Sequence, residues 1–117
     1  MSRIYNYTSG LSSQIQSFID EKRALGCKYE KEAKVFYEMD RFLVRQGVTS
    51  PSLSQEIVEK WIEKRPNEKR KNQRWRLNFT KRFVSYLLVI ADTGNRENRS
   101  IHLCHDLVNV VFNLVDL

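Results

Sequence analysis

The sequence predicts an all-α protein, because apolar residues recur every three or four positions through most of its length. The two prolines and four glycines are few and lie between these periodic segments. Hydrophobic residues make up 41% of the 117 residues and aromatic residues 11%, which is enough to build a core. These observations argue against wholesale disorder and favour one helical domain.

The first half of the chain predicts two helices, over residues 11–25 and 29–46. Gly26 is expected to end the first helix in a left-handed conformation, and Gly47 to stop the second. Each helix carries one apolar side that is expected to face the core. The residues on these sides are Ile15, Phe18, Ile19 and Leu25 in the first helix, and Ala33, Phe36, Met39 and Leu43 in the second.

Two further helices are predicted in the second half. The third begins at Ser52 or Ser54, because SLSQE resembles a capping box from Ser52 to Gln55. Pro66 closes it, since the residue before a proline resists helical geometry. The fourth covers residues 69–91, and its apolar side consists of Leu77, Thr80, Phe83, Val84, Leu87 and Ile90.

The predicted organisation has three parts. Residues 1–10 form a flexible arm, residues 11–92 form the four-helix domain, and residues 93–117 form a polar linker followed by an apolar tail. The tail, residues 101–117, suits a fifth helix, although its valine and phenylalanine content also permits a strand. Such a tail must be buried, either on its own bundle or on another chain.

Positive charge is concentrated in one segment. Residues 64–82 contain nine lysines or arginines and a single acid, Glu68, for a net charge of +8. The whole chain carries +6, so the other residues together carry −2 (6 − 8). A local excess of this kind favours an anionic partner, which could be nucleic acid, a membrane surface or an acidic protein.

The fourth helix places several polar and basic residues along one side. Lys71, Arg74, Asn78 and Lys81 follow steps of three, four and three, and Gln73 and Arg76 lie near the helix start. A helix fits the DNA major groove, where arginine can bind guanine and asparagine can bind adenine. The alternative is an ordinary solvated face. We favour nucleic-acid binding because almost no acids interleave with the bases.

A second basic group lies at the start of the second helix. Lys28, Lys31 and Lys34 are interrupted by Glu30 and Glu32, so taken alone they are more typical of surface pairing between neighbouring turns. If this group lies beside the fourth helix, the two helix starts could hold one groove of DNA together.

Nothing in the sequence predicts catalysis, a metal ion or a cofactor. The spacing of His102, Cys104 and His105 matches no standard zinc pattern, and no glycine-rich phosphate loop is present. Cys27 and Cys104 are interpreted as reduced thiols. No secretory signal opens the chain and no apolar run is long enough to span a bilayer. We therefore expect a cytoplasmic protein with no membrane partner and no small-molecule substrate.

Three segments together resemble the N-terminal core-binding domain of tyrosine recombinases, the phage-integrase family. They are FIDEKRALGCKYEKEAKVFYEMDRFLVRQG, LSQEIVEKWIEKRPNE and RLNFTKRFVSYL, and the match spans about 70 positions from Phe18 to Leu87. The resemblance implies a SAM-like orthogonal bundle of four helices, with the tail as an extra fifth helix. It also implies that the second and fourth helices face the major groove of duplex DNA. Carried onto this sequence, the DNA contacts are Lys28, Lys31, Lys34, Lys71, Gln73, Arg74, Arg76, Asn78 and Lys81.

The catalytic set of that family has no counterpart in this sequence. His102–His105 reads HLCH rather than His-x-x-Arg, and no tyrosine has the context of a nucleophile. We therefore expect a DNA-binding domain of a site-specific recombinase that does not itself catalyse strand exchange. The alternative is a protein-interaction or regulatory domain that acts through residues 101–117, for example on other recombinase protomers.

Overall fold

The protein is all-α, as predicted. The computed structural model describes residues 5–92 and 102–103. The helices are α1 (Ser12–Ala24), α2 (Glu30–Arg45), α3 (Gln55–Ile62) and α4 (Arg70–Asp92). Two short strands, β1 (Ser52–Leu53) and β2 (His102–Leu103), pair with each other. The SAM-like arrangement of the helices stays a prediction.

The chain divides into two compact units, Met1–Ser52 and Leu53–Leu117. The first contains α1 and α2, which pack together, and the second contains α3 and α4, which also pack together. The sequence predicted a single domain over residues 11–92. The division at residues 52 and 53 is understandable, because each helix pair closes its own cluster of apolar side chains.

The first unit buries the apolar sides that periodicity predicted. Phe36 is fully buried, and its ring meets the ring of Phe18 edge to face, with the centroids 5.5 Å apart. The buried side chains of this pair of helices include Ile15, Phe18, Ile19, Ala33, Phe36, Met39 and Leu43. Leu25 is the exception. The prediction that it faces the core is wrong, because 71% of it is exposed beyond the end of α1.

Glycines end both helices of the first unit in the same way. Gly26 and Gly47 have φ angles of +96° and +79°. After α2, the Gly47 N–H donates to the Val44 carbonyl and the Val48 N–H donates to the Leu43 carbonyl, both at 3.0 Å. This is a Schellman motif, and the burial of Leu43 and Val48 supplies the apolar contact that commonly accompanies it.

Residues 5–10 belong to the predicted flexible arm, and here they are held against the first unit. The Tyr7 hydroxyl donates to the Ala33 carbonyl at 3.0 Å, and the Gly10 N–H donates to the Val48 carbonyl at 3.0 Å. Leu11, which follows the arm, is fully buried. These contacts connect residues 7 and 10 to the first turn of α2 and to Val48, which follows α2.

The second unit packs α3 against the inward side of α4. Val58, Trp61 and Ile62 of α3 are buried, as are Phe79, Thr80, Phe83, Val84 and Leu87 of α4. Ser54 is the N-cap of α3, since its Oγ accepts the Ile57 N–H at 3.3 Å. Of the two predicted starts, Ser54 is therefore confirmed and the capping box from Ser52 is wrong. The helix ends at Ile62, four residues before Pro66.

The predicted fifth helix falls on residues 101–117, which lie outside the described residues except for the two-residue strand β2. Across the described helices, none is both long and apolar enough to cross a membrane.

Candidate nucleic-acid interface

The outward side of α4 carries the predicted polar stripe. Lys71, Arg74 and Asn78 are exposed, and Lys81 is half-buried at the edge of the same side. Because α4 is one uninterrupted helix from Arg70 to Asp92, these four residues keep the alignment that their spacing predicts. The second unit therefore presents a row of donors about three helical turns long.

Arg76 does not belong to this row, and the prediction that it contacts DNA is wrong. The residue is 4% exposed and lies on the inward side of α4. Its Nε donates to the Trp61 carbonyl at 3.1 Å and its Nη2 donates to the Glu63 carbonyl at 2.8 Å. Its Nη1 also pairs with a carboxylate oxygen of Glu68. All of these guanidinium contacts are made within the second unit.

Gln73 is half-buried, and its side chain is also used internally. Its Nε2 donates to the Ile62 carbonyl at 3.2 Å. Together Gln73 and Arg76 satisfy the carbonyls of Trp61, Ile62 and Glu63, where α3 ends and helical partners run out. Two residues proposed from sequence as DNA contacts therefore cap the C-terminus of α3.

Glu68, the single acid of the segment 64–82, is turned inward. Its side chain is 10% exposed and accepts from Arg76 and from the Arg65 N–H, the latter at 3.1 Å. Burial alone would raise the pKa of Glu68, but the hydrogen bond from Arg76, the hydrogen bond from the Arg65 backbone and the two nearby positive charges lower it. The carboxylate is therefore ionised, paired with Arg76 and only 10% exposed at neutral pH.

The outward surface of residues 64–82 is consequently cationic without an exposed acid. Its exposed bases are Lys64, Arg65, Lys69, Arg70, Lys71, Arg74 and Arg82, and Lys81 is half-buried. We call this set the basic surface. Five of these bases were counted in the charge run but not selected as contacts: Lys64, Arg65, Lys69, Arg70 and Arg82. Arg82 lies four residues after Asn78, so helical spacing could have found it.

An open groove of about 780 Å³ borders the basic surface. Glu59 of α3 and Glu63, which follows α3, line this groove together with Arg70 and Arg74 of α4. The carboxylates of Glu59 and Glu63 would repel an anionic ligand. The side of α4 that faces away from α3 is therefore the more favourable approach for a polyanion.

The second predicted basic group lies in the first unit. Lys28 is exposed just before α2, and Lys31 and Lys34 are exposed within its first two turns. Glu30, also exposed, and Glu32, half-buried, lie between them. Joint presentation of this group and the basic surface to one duplex stays a prediction.

The described residues offer little for catalysis. Within residues 5–92 and 102–103, no cluster of three histidine, cysteine or acidic side chains could hold a metal ion. Cys27 is an exposed thiol, and Cys104 and His105 lie outside the described residues. Burial raises the pKa of Tyr7 to about 12, so its hydroxyl stays protonated and serves as the donor to Ala33.

Comparison with known proteins identified no relative of this chain. No protein-family model, curated protein or solved structure matches this chain. The case for a function therefore rests on the geometry of the basic surface and on the resemblance of the three sequence segments.

Proposed function

We propose that this chain is a non-catalytic DNA-binding domain of the tyrosine-recombinase type, and that it docks on duplex DNA through the basic surface of the second unit. The observation that carries the proposal is the inward turn of Glu68. Because Glu68 pairs with Arg76 and its side chain is only 10% exposed, the charged residues of the segment 64–82 that are fully exposed are all basic. A surface with interleaved acids would instead pair with itself.

The chemistry of the outward residues suits a duplex. Lysine and arginine neutralise phosphates and release counterions, while Arg74 and Asn78 have side chains that can form paired hydrogen bonds with base edges. These two lie four residues apart on one side of α4. A single helix with few base contacts should bind weakly and with little sequence preference, with a Kd of roughly 10⁻⁶ to 10⁻⁴ M at physiological salt.

Fluorescence anisotropy with a labelled duplex tests the proposal. Wild-type protein should bind with an affinity that falls steeply as salt rises, and K71E/R74E should abolish binding. The matched control reverses the same number of charges at Arg45 and Lys60, which are exposed on α2 and α3 outside the basic surface. Equal loss in the control, or binding that does not depend on salt, would refute docking through this surface.

A further inference from the structure

The basic surface consists of two groups of residues, one on a helix and one on the connection between two helices. Lys71, Arg74 and Arg82 are fixed by the helix α4, whereas Lys64, Arg65 and Lys69 lie on the connection between α3 and α4. Helical geometry positions the first set automatically. The second set needs other contacts to hold it in place, because a connection of seven residues has no repeating hydrogen bonds of its own.

A tight turn over residues 65–68 supplies some of these contacts. The Glu68 N–H donates to the Arg65 carbonyl at 3.1 Å, with Pro66 and Asn67 between them. Asn67 has a φ of +63°, which is the third-position conformation of a type II turn, and Pro66 suits the position before it. The Glu68 carboxylate then accepts the Arg65 N–H, so the turn is closed from both directions.

Arg76 connects this turn to both helices. Its side chain starts on α4, its guanidinium donates to the Trp61 and Glu63 carbonyls at the end of α3, and it pairs with Glu68 on the far side of the turn. The guanidinium also lies over the Trp61 ring, 5.7 Å from its centroid, and the Arg65 guanidinium lies 5.4 Å from the same ring. One buried side chain therefore holds both ends of the connection.

We infer that Arg76 and Glu68 are positioning residues for DNA binding: they fix the cations of the α3–α4 connection so that these contact phosphates at the same time as the cations of α4. This inference rests on the proposed function. Neither residue touches DNA, and their action is to hold the three charges of the connection, Lys64, Arg65 and Lys69, as part of one surface. Preorganised contacts avoid the entropy of ordering flexible side chains and loops on binding.

Variants of Glu68 separate positioning from simple electrostatics because the two effects have opposite signs. E68Q and E68A each remove one negative charge, so electrostatics alone predicts tighter binding. Positioning predicts weaker binding instead, in the order wild type, E68Q, E68A, because glutamine keeps an acceptor for the turn and alanine does not. We expect E68A to raise the Kd several-fold.

The salt dependence of binding provides a second test. Removal of one negative charge from the protein should not reduce the number of phosphates that it contacts, whereas loss of positioning should. Each phosphate contacted contributes about 0.9 to the slope of log K against log salt concentration. Loss of simultaneous contacts from the connection should lower the magnitude of the slope by about 1 to 3 in E68A. The measurement is anisotropy with a labelled duplex over a salt series.

Two controls accompany these variants. E63Q removes an exposed acid within the same connection and should bind at least as tightly as wild type. V84A removes part of a buried side chain of α4 about two helical turns from Arg76, so it reports the effect of lower stability alone and should keep the wild-type slope. Circular dichroism establishes that each variant is folded at the temperature of the assay.

The outcomes distinguish this inference from the proposed function. If wild-type protein binds duplex DNA but both Glu68 variants match E63Q in affinity and slope, the positioning role is refuted and DNA binding stands. A slope lowered equally in V84A would likewise refute it, since stability would then explain the effect. If wild-type protein shows no salt-dependent binding, the proposed function itself fails.

Discussion

Asp40 and Ser9 lie 31 residues apart in the chain, and the Ser9 N–H donates to the buried Asp40 carboxylate at 2.9 Å. The other backbone partner of Asp40 is Thr8, whose N–H lies 3.1 Å and 3.0 Å from the two carboxylate oxygens. Asp40 is 0% exposed. The Asp40 carboxylate therefore satisfies two backbone N–H groups of the irregular segment that precedes α1.

Replacement of Asp40 should therefore destabilise the first unit. D40A removes the acceptor and leaves the buried Ser9 N–H unsatisfied, so we expect a loss of about 1–3 kcal/mol in the free energy of unfolding. Urea denaturation followed by circular dichroism measures it. The control is E38Q, an exposed acid on the same helix, which should change stability by less than about 0.5 kcal/mol. Equal effects would mean that the contact contributes nothing.

Gly10 should not tolerate a side chain, for lack of space. A Cβ built at Gly10 would lie 2.2 Å from the Ser50 carbonyl oxygen and 2.5 Å from the Ser50 nitrogen, which is backbone that cannot rotate away. G10A should therefore lower stability by about 1–3 kcal/mol, as overpacking does. G47N is the control, because φ is +79° there, nothing lies within 4 Å, and asparagine tolerates that conformation. Thermal melts that show equal losses would contradict the steric argument.

Periodicity predicted the helices and most of the core because spacing alone decides which side chains share a face. Phe36, Leu43, Phe83 and Leu87 all lie where a 3.6-residue repeat places them. Leu25 does not follow the pattern, since the chain turns at Gly26 and carries it away from α1. A face prediction fails where the helix ends.

The residues of the candidate site were harder to predict, because the charge of a residue does not show whether its side chain faces solvent or the core. Arg76 lies four residues before Thr80 and seven before Phe83, so it shares the buried side of α4 despite its charge. That spacing is visible in the sequence, but the need for a cap at the end of α3 is not. Asp40 is similar: its partners come from the irregular segment that precedes α1, where no repeat exists.

Trp61 and Thr80 should show measurable coupling. The Trp61 Nε1 donates to the Thr80 Oγ1 at 2.9 Å, and the Thr80 hydroxyl donates to the Arg76 carbonyl at 2.8 Å. T80V leaves the indole donor without an acceptor and should cost about 1–3 kcal/mol. In a double-mutant cycle with W61F, the double variant should be more stable than the two single losses predict, by about 0.5–1.5 kcal/mol. Additive losses would show that the bond contributes no coupling.

Low pH should lower the stability of the second unit, because it protonates Glu68. Its folded-state pKa lies below the ordinary value of 4.5, so the stabilisation is fully present above that value and is lost as pH falls through the folded-state pKa. The difference in melting temperature between wild type and E68Q should therefore be large at neutral pH and shrink on acidification below about 4.5. E63Q, which removes an exposed acid of the same charge, should stay close to wild type at neutral pH. A difference between wild type and E68Q that is constant over the whole pH series would show that pairing with Arg76 does not depend on ionised Glu68.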